Sequence, residues 1–356
     1  MNIVVLCKVI DNFGDAGFCL RLSRGLSCSG HGVWLVSDRP ETVLKLMSQS
    51  DIGSLNVLDG RSADDLARLP EHCSLVIEPF GTSSESTTHR FDQTLRTRYH
   101  TAPWLVVDYL TAEAWAVDFH LSGMTQARTG HSSTLFYPGF GPSTGGLIHR
   151  DWPAINDRPP ITLPPVDLQV LVFGYKHSPL PALMAQCPPG WQWAWLGPDL
   201  AWLNTPVTKE QLHRLKQPAW VPQVEFDDLL KNHDLLMVRG EDSFVRAQLS
   251  GKPFIWQIYP TEDGAHRGKL DAFFALYTAG WPETLQSAWR SVWYFWNGFS
   301  SEATAMNWQT GLNFCLSEWE ELNDLSMKWS RQVRQWPDLV GEILTWRNSR
   351  DPTSAK

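Results

Sequence analysis

Two groups of residues have the types and spacing that chemistry requires. Asp11 and Asp15 stand four residues apart in a loop that follows the apolar run 1–7. A carboxylate pair so placed suits taking a proton or gripping a cation, although turn and helix-cap chemistry accounts for it equally. The second group is Val238-Arg239-Gly240-Glu241-Asp242-Ser243-Phe244-Val245-Arg246-Ala247-Gln248. Residues 235–238 read as a buried strand, and Phe244, Val245 and Leu249 recur at helical spacing. The strand therefore ends in a polar turn that opens a helix. Gly240 can take backbone angles closed to other residues, and the free N–H groups of the first helical turn make an anion site that suits a phosphate. Glu241 and Asp242 would repel that phosphate unless they face away or bind hydroxyls or a cation. Capping and complementing the helix dipole is the other account of the two acids.

The elements that must hold these residues are those of an α/β protein. Residues 1–7 form a strand pattern, 9–17 a glycine-bearing loop, and Phe18, Leu20, Leu22 and Leu26 a helical stripe, the opening of a Rossmann-like unit. The GxGxxG fingerprint is absent and acids occupy the loop, which disfavours a nicotinamide cofactor. Strand patterns follow at 33–36, 75–77 and 104–107; glycines and prolines break the pattern at 138–146, and the proline-rich stretch 157–165 reads as a linker. The same order then restarts, with strands expected at 168–173, 193–196, 219–221, 235–238 and 254–258. Two Rossmann-like domains are expected, 1–157 and 158–356, facing each other across a cleft between the carboxyl ends of their sheets, with packing of the last helices back on the first domain left open. Trp319, Leu322, Leu325 and Trp329 recur at helical spacing, which favours core packing over a partner helix.

Composition bounds the function. A length of 356 residues suggests two domains. A net charge of -8 and a pI near 5.8 argue against nucleic acid as a partner. The six cysteines form no CxxC pair, and neither a signal peptide nor a long apolar span is present, so a cytoplasmic protein with reduced thiols and no membrane association is expected. The 19 tryptophans read mainly as packing residues.

Several motifs in order resemble the EarP family, the protein-arginine rhamnosyltransferases that modify bacterial translation elongation factor P. They are Asp11-Asn12-Phe13-Gly14-Asp15 with Arg21-Leu22, Phe136-Tyr137-Pro138-Gly139-Phe140 with Thr144-Gly145-Gly146-Leu147, and the stretch 239–248. Gly251-Lys252-Pro253-Phe254, Ile258-Tyr259-Pro260 and Ala265-His266 with Lys269-Leu270-Asp271-Ala272-Phe273 extend the resemblance to about position 275. It implies a GT-B glycosyltransferase that inverts the sugar carbon, with TDP-β-L-rhamnose as donor, elongation factor P as acceptor protein, and no metal or other cofactor. The first domain then serves the acceptor and the second the donor. Ala16, where bulkier aliphatic residues are usual, and Gly264, which interrupts the acidic run Glu262-Asp263, depart from the family pattern.

An arginine guanidinium is planar and essentially always protonated, so an enzyme using its nitrogen as nucleophile must hold the cation and remove a proton during attack. Paired carboxylates suit this, with positioning mattering more than basicity. The resemblance implies that Asp15 is the base, and Asp11 is assigned as its orienting partner. It also implies that Glu241 and Asp242 take part in donor binding through ribose or sugar hydroxyls, with Glu241 counted among the catalytic group. Arg239, Gly240 and Ser243 would serve the diphosphate, Phe226 and Gln223 the thymine, and Tyr175 and Tyr259 the phosphates, with Asn12, Phe13, Gly14 and Gly17 of the first loop lining the donor. Phe226 and the tyrosines have ordinary packing roles as their alternative. His266 is expected to be structural. The rival readings are another sugar-nucleotide transferase or epimerase acting on a small molecule, and a binding module without activity.

Overall fold

The computed structural model describes residues 1–10, 13–81, 90–125, 130–153, 167–299 and 305–350, with backbone alone at 90–92. The chain forms two compact units, Met1–Asp151 with Trp336–Lys356, and Trp152–Gln335.

Among the described residues of the first unit, the strands are β1 (Asn2–Cys7), β2 (Gly32–Ser37), β3 (Asn56–Asp59), β4 (Leu75–Pro79), β5 (Trp104–Val107), β6 (Gly123–Thr125) and β7 (Ser132–Phe136). They lie in the order β3-β2-β1-β4-β5-β7-β6, parallel except where β6 pairs with β7. Ile3, Val4, Val5 and Leu6 are all fully buried, because helices cover both faces of a parallel sheet and both sets of alternating side chains are inside. The helix Leu339–Asn348 belongs to this unit. Its Leu339, Val340, Ile343 and Trp346 share one core with Ile3, Val5 and Cys7. Asp338 caps that helix through Gly341 N (3.1 Å) and also accepts the backbone N–H groups of His149 and Arg150 (3.2 Å each). The expected second domain, 158–356, thus loses its last helix to the first unit, where an apolar face was waiting. The expected boundary at 157 and the linker 157–165 lie outside the described residues.

In the second unit the strands are β8 (Gln169–Val172), β9 (Gln192–Trp195), β10 (Leu215–Lys216), β11 (Leu235–Arg239) and β12 (Phe254–Gln257), all parallel, in the order β10-β9-β8-β11-β12. The strand expected at 219–221 is absent there; β10 stands earlier in the chain. Pro218 and Pro222 bracket 219–221, and a proline has no N–H to give a ladder. Trp191, Trp193 and Trp195 are buried on and beside β9, as a packing role requires. Phe273 and Trp293 stack at 6.1 Å, and Trp329 on the helix Trp319–Val333 meets Phe273 edge-on at 5.9 Å. Among the described residues no helix is long and apolar enough to cross a membrane, and all six cysteines are free thiols.

Both sheets share one topology. The first strand is central, the next two build outward on one side, and the fourth returns to the other side. The crevice at the carboxyl ends of β1 and β4, and of β8 and β11, is the topological switch point where such sheets bind ligands.

Candidate active site

Asp15 follows β1, at the switch point of the first unit. Asp15 lies in the first turn of the helix Phe13–Cys28 and is 5% exposed. Its Oδ2 accepts the backbone N–H of Ile10 at 2.7 Å, so the carboxylate pins the chain leaving β1. Val9 N donates to Asp38 Oδ1 at 3.0 Å, anchoring the same segment to the loop after β2. Asp11 and Asn12 lie outside the described residues. Phe13 packs half-buried on the core, Gly14 is half-buried, and Gly17 is buried in the helix. Phe80, just past β4, is held at a φ of 64°, a backbone setting that side chains rarely adopt. Its ring meets Phe18 at 4.9 Å and stacks on the exposed Tyr109 at 4.4 Å, so aromatic packing holds the unusual conformation beside the acidic loop. Burial, reinforced by the Asp108 carboxylate, pushes the Tyr137 hydroxyl up to about 12.

The second unit assembles aromatic and cationic groups at its switch point. Arg239 ends β11, and its guanidinium lies 4.6 Å over the ring of Phe173 and 4.3 Å over that of Tyr175, both at the end of β8. Gly240 follows with a φ of 67°, the left-handed setting that lets the chain turn directly into the helix Asp242–Ser250. Tyr175 is buried and meets the half-exposed Tyr259 edge-on at 5.9 Å; Phe226 meets Phe173 edge-on at 5.8 Å. Arg239, Tyr175, Tyr259 and Phe226 thus share one neighbourhood although they come from four segments of sequence.

The acids of the turn have specific partners. Glu241 is the N-cap residue but makes no side-chain cap bond, and its Oε1 accepts from Lys269 Nζ at 3.2 Å. Asp242 Oδ2 accepts from Gln223 Nε2 at 2.8 Å. The Glu241 charge is therefore compensated by an ammonium, which reduces the repulsion an adjacent phosphate would meet. The Gln223 bond uses one of the two N–H donors of that amide. Ser243 Oγ donates to the Arg239 carbonyl, and its hydroxyl must rotate to donate to a ligand. His266 Nδ1 accepts from Thr261 N at 3.1 Å, a structural tie within the loop.

Sequence reasoning missed the residues that shape this neighbourhood from behind. Gln257 is fully buried at the end of β12, in register with Arg239. Its Oε1 accepts Tyr175 N (3.0 Å) and Ser178 Oγ (2.8 Å), fixing the turn after β8. A polar residue closing the apolar run 254–256 was the available signal. Lys269 stands 28 residues beyond Glu241, and only the fold joins them. Trp256 Nε1 donates to the Gly240 carbonyl at 3.1 Å while its ring stacks on Phe244 at 4.0 Å. Trp220, between the two prolines and three residues before Gln223, is 54% exposed.

The family described as "Elongation-Factor P (EF-P) rhamnosyltransferase EarP" matches residues 3–348. The chain is 31% identical over 371 aligned positions to the protein-arginine rhamnosyltransferase of Pseudomonas aeruginosa, spanning 95% of this chain and 94% of that protein. It is 32% identical over 374 positions to the protein-arginine rhamnosyltransferase of Neisseria meningitidis serogroup B, spanning 93% and 91%. A solved structure described as the structural basis for EarP-mediated arginine glycosylation of translation elongation factor EF-P superposes with a TM-score of 0.59 at 20% identity, covering 98% of this chain and 99% of that one. The spinosyn rhamnosyltransferase SpnG superposes with a TM-score of 0.56 at 13% identity, covering 97% and 100%. At such identities the superpositions carry the fold, which is that of GT-B glycosyltransferases. With a family match over nearly its whole length and relatives above 30% identity, the chain belongs to the EarP family and is a protein-arginine rhamnosyltransferase.

Proposed function

We propose that the enzyme transfers L-rhamnose from TDP-β-L-rhamnose to a guanidino nitrogen of an arginine in elongation factor P, with inversion at the sugar carbon and without a metal, in the cytoplasm. The observation that carries this reading is the turn of the second unit, where Arg239, held between the ends of β8 and β11, stands beside a glycine-opened helix N-terminus. Fixed positive charge and the N–H groups of a helix N-terminus are what a departing nucleoside diphosphate needs. Tyr175, Tyr259 and Ser243 serve the phosphates in this reading, Phe226 and Gln223 the thymine, Glu241 and Asp242 the hydroxyls, and Asn12, Phe13, Gly14 and Gly17 border the donor.

The transfer balances in one displacement. The guanidino nitrogen forms its bond to the anomeric carbon as the bond from that carbon to the diphosphate oxygen breaks. The proton shed by the nitrogen passes to the Asp15 carboxylate, and the electron pair of the broken bond leaves on TDP. Asp15 suits the task because its burial and its bond to Ile10 N fix its direction. Asp11 would orient the guanidinium. For the acceptor protein, the first unit offers exposed Tyr109, Trp115, Val117 and Phe119 among Asp108, Glu113 and Asp118, an apolar and acidic surface suited to a basic segment.

The test is intact-mass spectrometry of elongation factor P after incubation with the enzyme and TDP-rhamnose, with an acceptor whose modified arginine is replaced by lysine alongside. A gain of one deoxyhexose that vanishes in the lysine control is expected. No gain, with donor binding retained in calorimetry, would move the acceptor elsewhere.

A further inference from the structure

Beyond the residues assigned above, the turn after β8 carries His177, which no motif singled out. Its imidazole lies parallel to the Tyr175 ring, 5.4 Å away at 11°. Tyr175 in turn lies under the Arg239 guanidinium. The histidine is exposed at its edge, while Ser178 beside it is locked to Tyr175 and Gln257, so the turn that presents the imidazole is rigid. We infer that His177 is a diphosphate-binding residue that contacts the sugar nucleotide in its protonated form, so that donor binding takes up a proton. The inference rests on the second unit being the donor site.

The electrostatics support this assignment. In the free protein, burial against the turn is the first cause that lowers the His177 pKa, and the neighbouring charges, Lys176 on its own turn and Arg239 on β11, lower it further. The imidazole is thus a base held among cations, where a proton is unwelcome until an anion arrives. A diphosphate seated between Arg239 and His177 reverses that balance, because opposite charge nearby favours the protonated ring. The sign follows: the free ring is mostly neutral near pH 7, the bound ring has its pKa raised, and affinity strengthens as pH falls through the interval between the two.

TDP-rhamnose is the suitable probe, because its diesterified diphosphate keeps a constant charge over the interval whereas the terminal phosphate of TDP titrates within it. Calorimetry of the full-length protein at about pH 5.5 and about pH 8 should show donor Kd rising about tenfold with pH, the usual scale of a charge-assisted hydrogen bond. Repeating the titration near pH 6.5 in buffers of different ionisation enthalpy should register proton uptake. His177→Gln should flatten the profile at the weaker affinity, and His177→Lys should flatten it at the tighter one. A wild-type profile that is already flat, or an unchanged slope in His177→Gln, overturns the inference while leaving the donor site in place. Absence of donor binding at every pH overturns the donor site and the inference together.

Discussion

The two switch points share a strand order and differ in everything laid on it. At the end of β1 a buried carboxylate is tied to a backbone N–H, and the nearby aromatics, Phe80 and Tyr109, stack on each other. At the end of β11 an arginine lies over two aromatic rings, beside a histidine and a helix N-terminus. One crevice carries a buried acid, a group that suits a cation, and the other an arginine, a group that suits an anion. The topology supplies only the place where strand ends diverge; the charge at that place is set by a handful of residues. This division suits a reaction that joins a guanidinium to a sugar carrying a diphosphate.

The contrast is testable by variants that should damage one crevice alone. Asp15→Asn should lower the rate of rhamnosyl transfer by about 10²- to 10⁴-fold, the span typical of removing a general base. Donor Kd in calorimetry should stay within about twofold of wild type, since in the proposed reading Asp15 takes the acceptor's proton and makes none of the assigned contacts to base, hydroxyls or phosphates. Equal loss of transfer and donor binding would make Asp15 structural. Arg239→Ala should raise donor Kd by roughly 10- to 100-fold, the loss of a charged contact to phosphate, and leave acceptor binding intact. Arg239→Lys should recover only part, because a point charge cannot reproduce the planar group lying over Phe173 and Tyr175. Gln257→Ala strips the acceptor from Tyr175 N and Ser178 Oγ, and should cost about 1–3 kcal/mol in denaturant titration together with a weaker donor Kd. The smallest effect is expected for Lys269→Met, which leaves the Glu241 carboxylate without its ammonium; a several-fold loss of donor affinity, eased by added salt, is the outcome to look for.

Much of the fold was legible because parallel strands buried on both faces leave continuous apolar runs, as in residues 3–6 and 235–238. The turn after β11 was equally readable, since Gly240 between a strand and a helical stripe leaves few options. What escaped was whatever depends on three-dimensional closure. The edge strand at 215–216 is two residues long and has no periodicity to detect, whereas 219–221 is apolar but lies between prolines. The helix at 339–348 has an apolar face that names no partner, and its place in the first unit follows only from the gap it fills. In the candidate site, residues with chemistry of their own stand out in the sequence, while Gln257 and Lys269 do not, because what sets them apart is what they touch.

That last helix also bears on how the protein is made. β1 is synthesised more than 300 residues before Leu339, Val340, Ile343 and Trp346, which share its core. Trp152–Gln335 can close its own core before then. The nascent chain therefore has all of the second unit before the core around β1 can be sealed. A chain cut short between the two would keep Arg239 and its turn but leave the core of the first unit without Leu339, Val340, Ile343 and Trp346.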